Sequence, residues 1–268
     1  MSSAGGHDNR FMRLLAVLAH PDDESLGFGG TLATYASRGV HVAQVTATRG
    51  ERGRLGALRP GEPGHPGTAA LAAIRTEELE RAAATLGIAD LTVLDYPDGA
   101  LDTVAAPGAI ARIRDEIRRV RPDVVVTFGP DGAYGHPDHI AISQLTTAAV
   151  ATTGVASKLY YLAWPQTAWD RYQGAIGQLS ATVDGVVRHA APWPAWAVTT
   201  ELDTSAVWQT VWQAVQCHQS QISGYGRLAE TPAPQIAALW SHQSYYRVFS
   251  TVNVSRAPET DLFEGLHA

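Results

Sequence analysis

The densest chemistry in the chain lies in two short clusters. His20-Pro21-Asp22-Asp23-Glu24 ends the apolar run 14–19, and Gly135-His136-Pro137-Asp138-His139 follows Val124-Val125-Val126-Thr127-Phe128. Apolar side chains favour burial and carboxylates resist it. A charged cluster directly behind an apolar run therefore suggests a site built at the end of a buried strand. Imidazole nitrogens and carboxylate oxygens from two such ends make a donor set for a divalent ion. Zinc takes such ligands at roughly 2.0–2.2 Å and, in a catalytic site, keeps one position open for water. His20 and Asp23 sit three apart and can face one point from a first helical turn. His136 and His139 supply further nitrogen, with one histidine to spare. A carboxylate set alone would suit magnesium; the histidines argue against it. Each cluster taken singly also suits a turn or a helix start, where Asp22 and Glu24 would favour the dipole. The coincidence of two carries the metal reading. Asp22 is then free to act as general base toward a water. The spare histidine, if protonated, would stabilise an oxyanion or supply a proton, with Asp138 to orient it.

Alternating elements must bring these clusters together. Strand-like runs at 14–19, 41–46, 91–94, 124–128 and 159–163 alternate with helical patterns at 24–37, 69–86, 107–120 and 137–153. Gly39 and Gly87 close the first two helices. This alternation predicts βαβ units on a parallel sheet. Ligands bind at the carboxyl ends of such strands, where both clusters fall. The loop 49–67 is too long for a simple connector; its Arg52, Arg54 and Arg59 suit either a solvated loop or a lid. Residues 95–99 have turn composition. Beyond Trp164 the pattern loosens, and 165–197 carries Trp and Pro without a period. A strand at 197–202, a helix at 205–219 capped by Asp203 or Thr204, and a strand at 245–252 complete the expectation. The fold class is α/β: a Rossmann-like, mostly parallel sheet with helices on both faces. One domain over 1–268 is expected, with a regular core at about 12–165 and an irregular C-terminal elaboration at about 166–268.

Composition narrows the partners. The chain has 268 residues, 45% hydrophobic and 17% charged, with net charge -6, which excludes the basic footprint of a nucleic-acid binder. Cys217 is the single cysteine, so neither an intramolecular disulfide nor a cysteine zinc site is available. No apolar run approaches the roughly 18 residues of a membrane span, so no stable membrane association is expected. The apolar start is shorter than a secretory core, and cleavage there would destroy the first cluster. A leader over 1–9 and a cytoplasmic enzyme follow; oligomeric state is left open. Gly27-Phe28-Gly29-Gly30 lacks the G-x-G-x-x-G spacing of a dinucleotide loop, and its glycines suit close packing of a helix start on the sheet. Trp193, Trp196 and Trp208 are expected in the core sooner than as platforms for a sugar, His218 as a structural or rim residue, and Arg75 alone would pair with Glu78 one turn on.

The two His-containing motifs, with Thr48-Arg49-Gly50-Glu51, Arg75-Thr76-Glu77-Glu78-Leu79, Pro97-Asp98-Gly99 and His218-Gln219-Ser220-Gln221, resemble the LmbE-like or GlcNAc-phosphatidylinositol de-N-acetylase-like (PIG-L) family over roughly 14–222. The resemblance implies a metal-dependent hydrolase that removes an N-acetyl group from an N-acetylglucosamine-containing small molecule, a GlcNAc-inositol or a secondary-metabolite glycoside. It implies His20, Asp23 and His139 as ligands of zinc, or of ferrous iron. It implies Asp22 as general base, His136 as stabiliser of the tetrahedral intermediate with Asp138 behind it, and Tyr134 as an aid at the oxyanion. Arg75 and Asp98 would contact the sugar. Two alternatives stand beside this: an amidase for a larger N-acyl group, and a catalytically silent sugar- or metal-binding protein.

Overall fold

The computed structural model describes residues 12–183, 185–252 and 257–266; the leader expected over 1–9 lies outside them. Five parallel strands form the centre: β1 (Arg13–Leu18), β2 (His41–Thr48), β3 (Asp90–Tyr96), β4 (Val124–Thr127) and β5 (Lys158–Leu162). Residues 14–19 and 124–126 are fully buried, as near-continuous apolar strands must be when helices cover both faces. The spatial order begins β3-β2-β1-β4-β5, so the winding reverses between β1 and β4. That reversal is where an open α/β sheet leaves a crevice. His20 follows β1 and His136 follows β4, so the crevice carries both clusters.

The C-terminal half returns to this sheet. After the β6–β7 hairpin (Ser180–Val183, Val186–His189), β8 (Thr200–Asp203) and β9 (His242–Ser250) add antiparallel strands beyond β5. Glu259 locks the following segment beneath them. It is fully buried and accepts hydrogen bonds from Lys158 Nζ, Tyr160 OH and Thr200 Oγ1, each at 2.8 Å. Arg247 Nη1 lies 2.8 Å from the same carboxylate as a charge neighbour. No helix among the described residues is long and apolar enough to cross a membrane.

Several elements differ from expectation. The helix expected over 24–37 is two, Asp23–Leu26 and Gly29–Ser37. A Cβ on Gly29 would fall 2.9 Å from Val211, and one on Gly30 would fall 2.7 Å from Thr204. These glycines dock the second helix on the C-terminal half, not on the sheet. The segment 165–197 holds a helix, Gln166–Ile176, that buries Trp169, Tyr172 and Ala175 at threefold spacing, and then the hairpin. The helix expected over 205–219 is a 3-10 turn, Ser205–Val207, followed by Trp208–Cys217; the Asp203 carboxylate accepts from Ser205 N at 2.9 Å. Trp196 is 84% exposed, and Trp193 and Trp208 are half-buried, so none is a core residue.

Candidate active site

The turn after β1 is built to present carboxylates. Asp22 takes φ 107°, a region that non-glycine residues rarely occupy. Its N–H donates to Glu24 Oε2 (3.0 Å). Glu24 is fully buried and pairs with the fully buried His218, Nε2 to Oε1 2.7 Å. Burial opposes both charges, yet each charge overcomes it for the other: Glu24 is lowered and His218 raised. A buried ion pair therefore anchors the strained residue from below. The sequence places Glu24 as a dipole group and His218 as a structural or rim residue; the structure makes both structural.

Asp23 turns the other way. Its Oδ2 accepts from the N–H groups of Ala19 (3.1 Å) and His20 (2.8 Å), while Oδ1 lies 3.3 Å from His139 Nε2. His20 Nδ1 is 3.2 Å from that same His139 nitrogen and 3.7 Å from Asp23 Oδ2. His20 Nε2 donates to Asp138 Oδ2 (3.1 Å) and Asp98 Oδ1 (3.2 Å). Those two acceptors fix the proton on Nε2 and leave the Nδ1 lone pair facing the other donors.

These contacts test the fit to a metal. His20 Nδ1 and His139 Nε2 lie 3.2 Å apart with the Asp23 carboxylate beside both, its Oδ2 3.7 Å from His20 Nδ1 and its Oδ1 3.3 Å from His139 Nε2. The edge of a tetrahedron around an ion with zinc-like bonds is roughly 3.3 Å. Burial disfavours a charged His20, but Asp138, Asp98 and Asp23 outweigh it and push the ring well above its ordinary value. The same field favours a divalent ion beside the ring. His20, His136 and His139 also bring one ligand atom each within 4.8 Å of one another, as do His20, Asp98 and Asp138. In the second group Asp98 and Asp138 already accept from His20 Nε2. The residues fit a metal.

The outer carboxylates stand elsewhere than expected. Asp138 was expected behind His136; its fully buried carboxylate instead accepts from Gly99 N (2.7 Å), Leu101 N (3.0 Å) and His20. Only its backbone N–H meets His136, donating to Nδ1 at 3.2 Å as the helix Pro137–Thr153 begins. That bond leaves the His136 proton on Nε2. Burial and the neighbouring His20 and His139 hold the ring down to about 3, so it is a neutral donor and not an imidazolium. Asp98, expected at the sugar, is buried behind His20; its second oxygen accepts from Arg52 N (2.8 Å), and it is held down to about 2.

Arg75, also expected at the sugar, is 4% exposed. Its guanidinium donates to Gly50 O (2.8 Å), Pro21 O and Asp22 Oδ2 (3.1 Å). Gly50 has φ 65°, and a Cβ there would fall inside that guanidinium. Glu78 is not its partner: both Glu78 oxygens bond Ser220, at 2.7 and 2.6 Å. Tyr225 was missed from sequence. Its hydroxyl donates to Asp22 Oδ2 at 2.7 Å, and burial beside Asp22 keeps it protonated. Burial likewise pushes the Asp22 carboxyl above its usual value, against the pull of Arg75.

Tyr134 lies in the kinked turn Gly132–Gly135, its ring 5.8 Å from His136 and 5.5 Å from His139. Together Asp22, Asp23, Tyr134, His139 and Tyr225 form the polar wall of a cavity of about 130 Å³. Leu26, Phe128, Trp164, Tyr172, Ile176 and Leu179 form its apolar wall. The missed helix Gln166–Ile176 supplies two of these.

A doubly wound sheet with His and Asp donors gathered at its reversal defines an α/β protein with a candidate metal site, and comparison gives its family. The sequence profile of the GlcNAc-PI de-N-acetylase (PIG-L) family matches residues 15–150. The chain is 35% identical to the 1D-myo-inositol 2-acetamido-2-deoxy-α-D-glucopyranoside deacetylase of Thermobifida fusca (strain YX), over 94% of this chain and 98% of that one. It is 33% identical to the protein of that name from Actinosynnema mirum, over 95% and 97%. The chain belongs to the GlcNAc-PI de-N-acetylase family. Two solved structures share the fold. One is GalB, the 4-carboxy-2-hydroxymuconate hydratase of Pseudomonas putida KT2440 (TM-score 0.67, 21% identity, covering 91% of this chain and 99% of that one). The other is the N,N'-diacetylchitobiose deacetylase of Pyrococcus horikoshii (0.62, 19%, 88% and 83%).

Proposed function

We propose that the protein is a metal-dependent N-deacetylase that releases acetate from N-acetylglucosamine linked to inositol. The chemistry rests on one observation: the His20–Asp23–His139 triangle with Asp22 beside it. The substrate class rests on the inositol-sugar deacetylases to which the chain is similar over nearly its full length. His20 Nδ1, Asp23 and His139 Nε2 would hold the ion, zinc or ferrous iron. When bound, the ion supplies a Lewis acid that polarises the acyl oxygen and acidifies a water. Asp22 takes a proton from the attacking water as its oxygen bonds to the acyl carbon. The neutral His136 Nε2–H, with the Tyr134 hydroxyl, donates to the oxygen that gains charge. The carbon–nitrogen bond then breaks, and Asp22 returns the proton to the departing amine. Asp98 and Asp138 keep the His20 proton on Nε2 throughout; Arg75 holds Asp22 and does not bind the sugar. A single domain is part of this reading, since β8 and β9 complete the sheet that bears the site, and a cytoplasmic location is proposed with it.

The apolar cavity wall favours one second reading, in which the acyl group is larger than acetyl. Metal content by mass spectrometry, paired with amine release from N-acetylglucosaminyl-inositol and related N-acylglucosaminides, tests both. About one ion per chain, with release of acetate lost on chelation and restored by metal, is expected. Bound metal with a heavier acid released would support the second reading; bound metal with no release from any substrate would refute both.

A further inference from the structure

Asp22 is held by an asymmetric grip. Arg75 and Tyr225 both donate to Oδ2, at 3.1 and 2.7 Å, and no donor among the described residues reaches Oδ1. The carboxylate also lines the cavity. One oxygen is thus clamped from behind and the other left for a proton. Arg75 alone would not fix this arrangement. Its guanidinium is shared among Asp22 and two backbone carbonyls, and a carboxylate on a single contact can still turn about its last torsion.

We propose that Tyr225 is the positioning residue that aims Asp22 Oδ1 at the attacking water, an assignment that rests on the deacetylase reading above. Tyr225 comes from the C-terminal half, outside the matched 15–150 segment. Its place is set by the backbone. Tyr225 N donates to Ile222 O (3.1 Å), and Gly226, at φ 59°, packs so closely on Ile176 that a Cβ would strike the Ile176 carbonyl. The end of helix Gln166–Ile176, which also lines the cavity, therefore sets the position of the hydroxyl. The aim of the base is coupled in this way to the wall of the substrate cavity.

Tyr225→Phe removes the hydroxyl and keeps the ring. With metal loaded, kcat is expected to fall about 10- to 100-fold, the cost of a hydrogen bond to a charged group, with KM and metal content unchanged. Because Tyr225 acts through Asp22, the loss should vanish in an Asp22→Asn background. Unchanged kcat, a rise in KM alone, or a loss that persists with Asp22→Asn would each overturn the assignment. Gly226→Ala, which shifts the loop without removing a polar group, should reproduce the kcat defect. A crystal structure of Tyr225→Phe gives a readout free of turnover: Asp22 should show a second carboxylate orientation. An Asp22 carboxylate unmoved in that structure overturns the proposal even if the wild type turns over no N-acetylglucosaminide, whereas that lack of turnover alone refutes only the deacetylase reading.

Discussion

Asp138→Ala separates two roles that one carboxylate could play. If Asp138 supported His136, its loss would slow turnover and leave metal binding intact. The structure places it on His20, so the loss should fall on the metal. Three donors converge on the buried carboxylate: Gly99 N, Leu101 N and His20 Nε2. Removing it frees His20 to rotate or change tautomer, held only by Asp98. A ligand histidine that loses such a partner typically binds metal 10- to 100-fold more weakly, or about 1.4–2.8 kcal/mol. The buried Leu101 N–H is also stranded, while Gly99 sits on an exposed turn open to water, so the metal-free protein should lose about 1–3 kcal/mol. Asp138→Asn is a graded control. An amide oxygen in the Oδ2 place keeps Gly99 and His20 and gives up only Leu101, so its metal affinity should lie closer to wild type. Chelator competition measures affinity, and urea unfolding with chelator present measures stability. Affinity of Asp138→Ala within about threefold of wild type, roughly 0.65 kcal/mol, would refute the placement.

Three further outcomes follow from the same contacts. Asp22→Asn should lower kcat roughly 10²–10⁴-fold with metal content unchanged; full turnover would remove Asp22 from the chemistry. Gly50→Ala must hold a Cβ at φ 65° and displace Arg75, so urea unfolding should show a loss of about 1–3 kcal/mol, and wild-type stability would refute the packing argument. Glu259→Gln breaks the buried pair with Lys158, which should cost about 3–5 kcal/mol, or roughly 6–20 °C in Tm. Its partners hold the Glu259 carboxyl below its usual value, against burial. That contribution is therefore complete above the unfolded value of about 4.3 and lost as pH falls through the lower folded one. The Tm gap between wild type and Glu259→Gln should be full at neutral pH and close in acid; a constant gap would refute the linkage.

The sheet and the metal donors were legible because each rests on local pattern. Residues 14–19 and 124–126 are apolar without interruption, which is what a strand covered on both faces requires, and the acids and histidines fall where such strands stop. What lay hidden depends on contacts distant in sequence. Asp138 is two residues from His136, yet its carboxylate serves His20, 118 residues earlier, because the turn Gly99–Leu101 presents two N–H groups to it. Arg75 resembles a surface helix residue until Gly50 opens room for its guanidinium beside Asp22. Tyr225 carries no motif; only the close approach of Gly226 to Ile176 reveals it. The helix Gln166–Ile176 was legible in principle, since Trp169, Tyr172 and Ala175 are three apart, but flanking Pro and Trp masked the period.

The fold does not by itself choose the reaction. A hydratase and a deacetylase share this architecture, so the chemistry must be argued from what the crevice holds. The donor triangle alone is equally suited to a silent metal-binding protein. Asp22 is what distinguishes them. It is not needed to complete the triangle, yet it takes a backbone conformation of φ 107° that costs of order 1–3 kcal/mol. Its N–H is tied to Glu24, its carboxylate to Arg75 and Tyr225, and a buried His218–Glu24 pair stands beneath it. Glu24 nearby, with Arg75, His218 and Tyr225 from two distant segments, thus restrains one residue that lines the cavity and whose second oxygen has no donor among the described residues. A protein that only bound metal would not need the clamp of Arg75 and Tyr225 on the Asp22 carboxylate, which touches none of His20, Asp23 and His139. The strain is accounted for if that oxygen must meet a water at a fixed point, which is the demand of a general base and not of a ligand.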